Sequence, residues 1–148
     1  MLILGCGNFD RSDDAAGLLA VRKLRELGID AREHAAEPLA LIEAWGGADE
    51  VLLIDAMISG AALGTVSVWE AETAPAFAGG FRCSTHNIGL AEAIELARVL
   101  GCLPRRLTVY GIEGARFDRG GEVSRAVAAA AEQVAEEIAA RVAAHAGK

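Results

Sequence analysis

The sequence predicts a three-layer α/β/α sandwich built on a mostly parallel sheet of about five strands. Three observations carry this. Apolar runs and helical periods alternate along the chain in the order β-α-β-α-β-β-α-β-α, the pattern of parallel strands joined through helices. Val51-Leu52-Leu53-Ile54 is apolar on both faces, as a central strand covered on both sides must be. The first apolar run stops abruptly at Gly5-Cys6-Gly7-Asn8, a tight turn leading into a helix.

Leu2 to Leu4 is the first strand. After Ser12-Asp13-Asp14, which offer helix N-caps, Ala20, Val21, Leu24 and Leu27 keep helical spacing until Gly28 supplies a stop. Ile29 to Glu33 is a weaker strand, and Pro38 to Trp45 a short helix closed by Gly46-Gly47. Val51 to Ile54 is the strongest strand, with Asp55 at its carboxyl end. Gly64 to Glu70 forms another strand, followed by a Pro/Gly/Ala-rich surface loop from Thr73 to Gly80. His86 opens a helix through Leu90, Ile94, Ala97 and Leu100 that ends at Gly101. Leu107 to Ile112 is the last strand. From Glu122 onward Val127, Val134, Ile138 and Val142 mark the buried stripe of an Ala-rich helix, with acids and Arg141 on the other side.

A length of 148 residues fits a single domain, 1–148, able to bury one core without disulfides. With 53% hydrophobic and 24% charged residues the chain is too apolar for disorder, and no apolar run approaches a membrane span. A net charge of −7 argues against nucleic acid as partner, since a phosphate backbone is bound through clustered Lys and Arg. Three cysteines, Cys6, Cys83 and Cys102, show no framework spacing and are expected as reduced thiols of a cytoplasmic protein. The start, Met1 to Leu4, is too short and lacks the basic residues of a signal segment.

In sheets of this kind ligands bind outside the carboxyl ends of the strands. That rule selects the Gly5 to Asp14 loop, Asp55 with the residues after it, and the Cys83 to Asn87 entry to a helix. A dinucleotide reading of the first loop fails, because its third glycine position is Asp10 and the two acids beyond it repel a pyrophosphate. Of Asp13 and Asp14, one satisfies a helix N-terminus while the other is free to reach the sheet edge. A carboxylate directly after four buried aliphatics, as Asp55 is, must be paired, metal-bound or turned to a solvated crevice. A cap-region histidine is the plain alternative for His86. Two carboxylates and an imidazole together make an open oxygen and nitrogen ligand set suited to nickel, zinc, manganese or iron. Cys83 is a possible fourth ligand but reads better as an incidental thiol, and Cys6 and Cys102 receive no role.

Gly5-Cys6-Gly7-Asn8 followed by Asp13-Asp14 and Gly17 resembles the amino-terminal signature of the hydrogenase maturation proteases. Ile54-Asp55-Ala56-Met57 with Gly60 and Gly64-Thr65-Val66 is similar to the central segment of that family. Ser84-Thr85-His86-Asn87-Ile88-Gly89-Leu90 is similar to its histidine segment, and Tyr110-Gly111-Ile112-Glu113 to its last strand. The resemblance implies a phosphorylase/hydrolase-like sheet and an endopeptidase, aspartic-type or metal-assisted. It implies metal binding by Asp14, Asp55 and His86, with Asp14 and Asp55 acting in catalysis. The implied substrate is the precursor of a nickel-iron hydrogenase large subunit, cut at its carboxy-terminal extension after nickel is installed. The nickel would then arrive with the substrate, and no organic cofactor is expected. The protein partner would be met by a monomer, away from any membrane. A phosphoacceptor receiver-like domain is the rival from another class, since paired acids and a strand-end aspartate also suit magnesium and phosphorylation. It lacks a lysine after Ile112-Glu113-Gly114 to meet a phosphate. A noncatalytic, metal-dependent assembly chaperone is the remaining alternative.

Overall fold

The computed structural model describes residues 1–8, 12–35, 37–71, 88–115 and 120–147. The expected surface loop at Thr73 to Gly80, together with Asp10, Cys83 and His86, lies outside these residues.

Five strands form one sheet: β1 (Leu2–Cys6), β2 (Arg32–His34), β3 (Glu50–Met57), β4 (Val66–Glu70) and β5 (Arg106–Glu113). Their spatial order is β2-β1-β3-β5-β4, parallel throughout except for β4, which runs antiparallel at one edge. The helices are α1 (Ala16–Glu26), α2 (Pro38–Trp45), α3 (Ile88–Leu100) and α4 (Arg125–Ala146). The expected sandwich is therefore present, and the alternation along β3 shows how it is layered. Leu52, Ile54 and Ala56 join α1 and α4 through Val21, Leu24, Val134 and Ile138. Val51, Leu53 and Met57 join α2 and α3 through Leu41, Trp45, Leu90 and Ile94. Every residue of β3 is buried, because a central parallel strand has no solvent face.

Several boundaries differ from the sequence reading. β1 runs on to Cys6, since Gly5 and Cys6 still pair with Glu33 and His34. β2 is shorter than expected and begins at Arg32, as only its end reaches the ladder with β1. β3 continues past Ile54 to Met57, so Asp55 lies within the strand, opposite Gly111 of β5, and not at its tip. A polar side chain is tolerated there because the ladder is made by backbone groups, whatever the side chain. The carboxyl-terminal helix starts at Arg125 with Ser124 before it, three residues beyond the first acid of the expected segment.

At the carboxyl edge of the sheet, α1 is pulled very close to the strands. A Cβ on Gly17 would lie within 3 Å of the backbone of both Cys6 and Ile54, and one on Gly5 would meet the Gly17 carbonyl. Glycine at these facing positions lets helix and sheet touch backbone to backbone. At the opposite edge, Arg141 of α4 bonds Glu50 at 3.0 Å and reaches the Tyr110 hydroxyl at 3.3 Å, tying that helix to β3 and β5. The notch of about 170 Å³ beside this ion pair is thus at the far end of the strands from Asp55.

Candidate active site

The carboxyl ends of β1 and β3 set two side chains next to each other. Gly5 pairs with Ile54, so Cys6 and Asp55 follow side by side, and strand alternation turns both toward the α2/α3 layer. Asp55 is fully buried and its Oδ1 accepts a hydrogen bond from the Ala56 amide at 2.8 Å. Burial raises its pKa well above the usual carboxylate value, and the charge of Asp14 raises it further, while the Ala56 bond opposes both. Asp14, 3% exposed, therefore lies near enough to Asp55 to be felt through a low-dielectric interior.

The loop that delivers Asp14 is built for a close return to β1. Gly7 has φ +145, a conformation that favours glycine, and a Cβ there would collide with the Asp14 carbonyl. That carbonyl accepts the Asn8 amide at 3.3 Å. Residues Ser12–Ala15 then form one 3-10 turn, all four buried, which leads directly into α1. The sequence reading offered one of the paired acids as the helix cap. Neither serves: α1 begins after Ala15 with no side-chain cap bond. Instead the two acids part. The charge of Asp14 is felt at Asp55, and Asp13 binds the segment before α4.

Cys6 completes the described part of the site. Its thiol pKa is raised, first by burial and then by the charges of Asp55 and Asp14. A thiol so held stays protonated, the opposite of the activated thiolate that covalent catalysis requires. Its place beside Asp55 was not legible in the sequence, although its position one residue past a paired Gly5 was the available signal. Cys102 is exposed and also a free thiol.

Glu113, at the end of β5, is a second residue the sequence reading left without a role. It is 3% exposed and grips the loop after β3: the Ser59 amide donates to both of its oxygens at 3.0–3.1 Å and the Ser59 hydroxyl donates at 2.6 Å. Glu113→Ala is expected to destabilise the fold by roughly 1–3 kcal/mol through loss of its charge-assisted bonds to Ser59. It is also expected to speed hydrogen exchange at Ser59; a Ser59 amide as protected as in the wild type would refute the clamp.

His86 lies outside the described residues, so the third member of the expected ligand set has no geometry here. Among the described residues no three His, Cys, Asp or Glu side chains form a group able to hold a metal ion. α3 begins at Ile88 and packs Leu90 and Ile94 on the same face of the sheet that Asp55 faces.

The profile of the HycI family, hydrogenase maturation protease, matches residues 29–141. This chain belongs to the hydrogenase maturation protease family. The HupM hydrogenase expression/formation protein of Azotobacter chroococcum mcd 1 is 31% identical over 138 residues, 89% of this chain and 66% of that protein. The HoxM protein of Azotobacter vinelandii is 30% identical over the same length, covering 89% of this chain and 67% of its own. The chain thus spans about two thirds of the length of these relatives. Among solved structures, the NiFe hydrogenase maturation protease HybD from Thermococcus kodakarensis is 32% identical with a TM-score of 0.77, over 95% of this chain and 97% of that one. The hydrogenase maturating endopeptidase HybD from E. coli superposes with a TM-score of 0.80 at 25% identity, over 97% of this chain and 92% of that one. The maturation protease fold is therefore shared along nearly the whole chain. Receiver-like domains instead follow the parallel order 2-1-3-4-5. The order β2-β1-β3-β5-β4 with its antiparallel edge departs from that, against the phosphoacceptor reading.

Proposed function

We propose that this maturation protease is an endopeptidase that removes the carboxy-terminal extension of a nickel-loaded nickel-iron hydrogenase large-subunit precursor. The observation that carries the reading is the buried pair Asp14, on the turn before α1, and Asp55, within β3, in a chain of this family. Two acids in mutual repulsion are poor for stability, and a cation supplied by the substrate relieves them.

In this reading Asp14, Asp55 and His86 hold the nickel that the precursor already carries, two oxygens and one nitrogen with positions left for substrate or water. The start of α3 two residues after His86, on the Asp55 face, is consistent with that assignment. A freed carboxylate, or a water that the metal would polarise, would attack the scissile carbonyl carbon; the C–N bond breaks, the extension leaves as its protonated amine, and water hydrolyses the anhydride where the carboxylate is the nucleophile. The negative charge of the chain fits a protein partner and not nucleic acid. Among the described residues no helix is long and apolar enough to cross a membrane. The protein is taken to act as a monomer in the cytoplasm, with no organic cofactor.

The test is the mass of a large-subunit precursor before and after mixing with this chain, with and without nickel. Loss of a carboxy-terminal peptide only when nickel is present is the expected result. Loss in both conditions would keep the peptidase and remove nickel as the recognition handle. Tight binding without any loss would replace the enzyme by an assembly chaperone.

A further inference from the structure

We propose that Asp13 is a positioning residue whose carboxylate braces the turn that presents Asp14 to the precursor's nickel, an inference that rests on the function proposed above. The turn from Ser12 to Ala15 is buried yet burdened. Ser12 adopts φ +50, a left-handed conformation that a residue with a side chain rarely takes. That conformation favours a turn that relaxes outward and carries Asp14 into solvent.

Among the described residues, Asp13 opposes this with three hydrogen bonds to one fully buried carboxylate. Its Oδ1 accepts the Ser124 amide at 2.8 Å; its Oδ2 accepts the Ala115 amide at 2.9 Å and the Ser124 hydroxyl at 3.0 Å. Ala115 stands just past β5 and Ser124 just before α4, so the bonds fasten the turn after β1 to partners 102 and 111 residues away in sequence. Ser124 shows what this contact displaces. A serine at that position ordinarily caps its own helix, but its hydroxyl makes no cap bond to α4 and is turned to Asp13 instead.

All three partners donate, and a carboxylate is the side chain of this size that only accepts. Asparagine would set its own N–H groups against one of those donors. The adjacent acids thus divide the work: Asp13 anchors, and Asp14 is anchored.

The experiment measures binding of large-subunit precursor, nickel-loaded and nickel-free, to the full-length chain and to Asp13→Asn, Ser124→Ala, Asp14→Asn and the Asp13→Asn/Asp14→Asn double variant. Asp13→Asn is expected to weaken binding of the nickel-loaded form by about tenfold or more, leaving the nickel-free form unchanged. Ser124→Ala, which deletes one donor of three, is expected to do the same by about threefold, and it decides the matter should Asp13→Asn fail to fold. The double variant is expected to bind no more weakly than Asp14→Asn alone, because Asp13 acts only through Asp14. Equal weakening of both precursor forms by Asp13→Asn or Ser124→Ala would overturn the brace and leave the proposed function standing. An Asp14→Asn chain that still prefers the nickel-loaded precursor would overturn the proposed ligand set and the brace with it.

Discussion

Asp55→Asn is expected to lower kcat/KM for a nickel-loaded precursor by about 10³-fold or more, within the range that loss of a proton-transferring or metal-holding carboxylate produces. The substitution keeps the size and the Oδ1 acceptor for the Ala56 amide, so the loss would report charge and not packing. Its effect on folding is expected to have the opposite sign. Asp55 has a folded pKa raised above its usual value near 3.8, first by burial and then by Asp14. The native state therefore binds the proton more tightly than the unfolded chain. Stability from this group is complete below that usual value and is lost as pH rises through the raised folded one. Wild-type stability should fall across that window, and Asp55→Asn should remove that part of the slope and match or exceed the wild type at neutral pH. Urea melts of both proteins from acid to neutral pH, beside precursor cleavage assays, would check this. Full cleavage by Asp55→Asn would remove Asp55 from the chemistry; a variant less stable than wild type at neutral pH would contradict the repulsion between the acids.

The second large effect concerns the backbone contact that makes the site possible. Gly17→Val is expected to cost about 3 kcal/mol or more, because the new Cβ alone would fall within 3 Å of the Cys6 and Ile54 backbones, and backbone yields less than a flexible side chain. For a domain of this size that is a fall of roughly 10 °C in Tm. As α1 is displaced, the turn that carries Asp14 moves with it, since Ala15 ends the turn and Ala16 begins the helix. Activity of the residual folded protein is therefore expected to fall along with its stability. A Gly17→Val chain that melts within about 2 °C of the wild type would show that helix and sheet can part at no cost.

These two residues differ in how far their roles could be read in advance. Asp55 was visible because a carboxylate after four aliphatics is chemically out of place, a local anomaly that any buried strand exposes. Gly17 was visible only as part of a family signature. The physical need for it arises where α1 crosses the ends of β1 and β3, which no local pattern encodes. The paired acids fall between these cases. That they would point in different directions was legible in the residues, whereas Asp14 was singled out only by the family resemblance. The deciding partners of Asp13, Ala115 and Ser124, are brought to it only by the packing of α4 beside α1. Glu113 was hidden for the same reason, its partner Ser59 lying 54 residues away.

The order of strands and helices along the chain, the burial of β3 and the resemblance that family membership bears out were all legible in the sequence. Each rests on short-range information: periodicity, turn residues and the misfit of a charge among aliphatics. The packed fold was needed to show that β4 runs antiparallel at the edge, that β3 carries Asp55 inside the ladder, and that Cys6 lies beside Asp55. It likewise gave Asp13 its partners, Ala115 and Ser124, and set the charge of Asp14 within reach of Asp55. All of these depend on strand register and on donors supplied from distant segments, and such pairings are settled by which backbone and buried polar groups can be satisfied together once the core has closed.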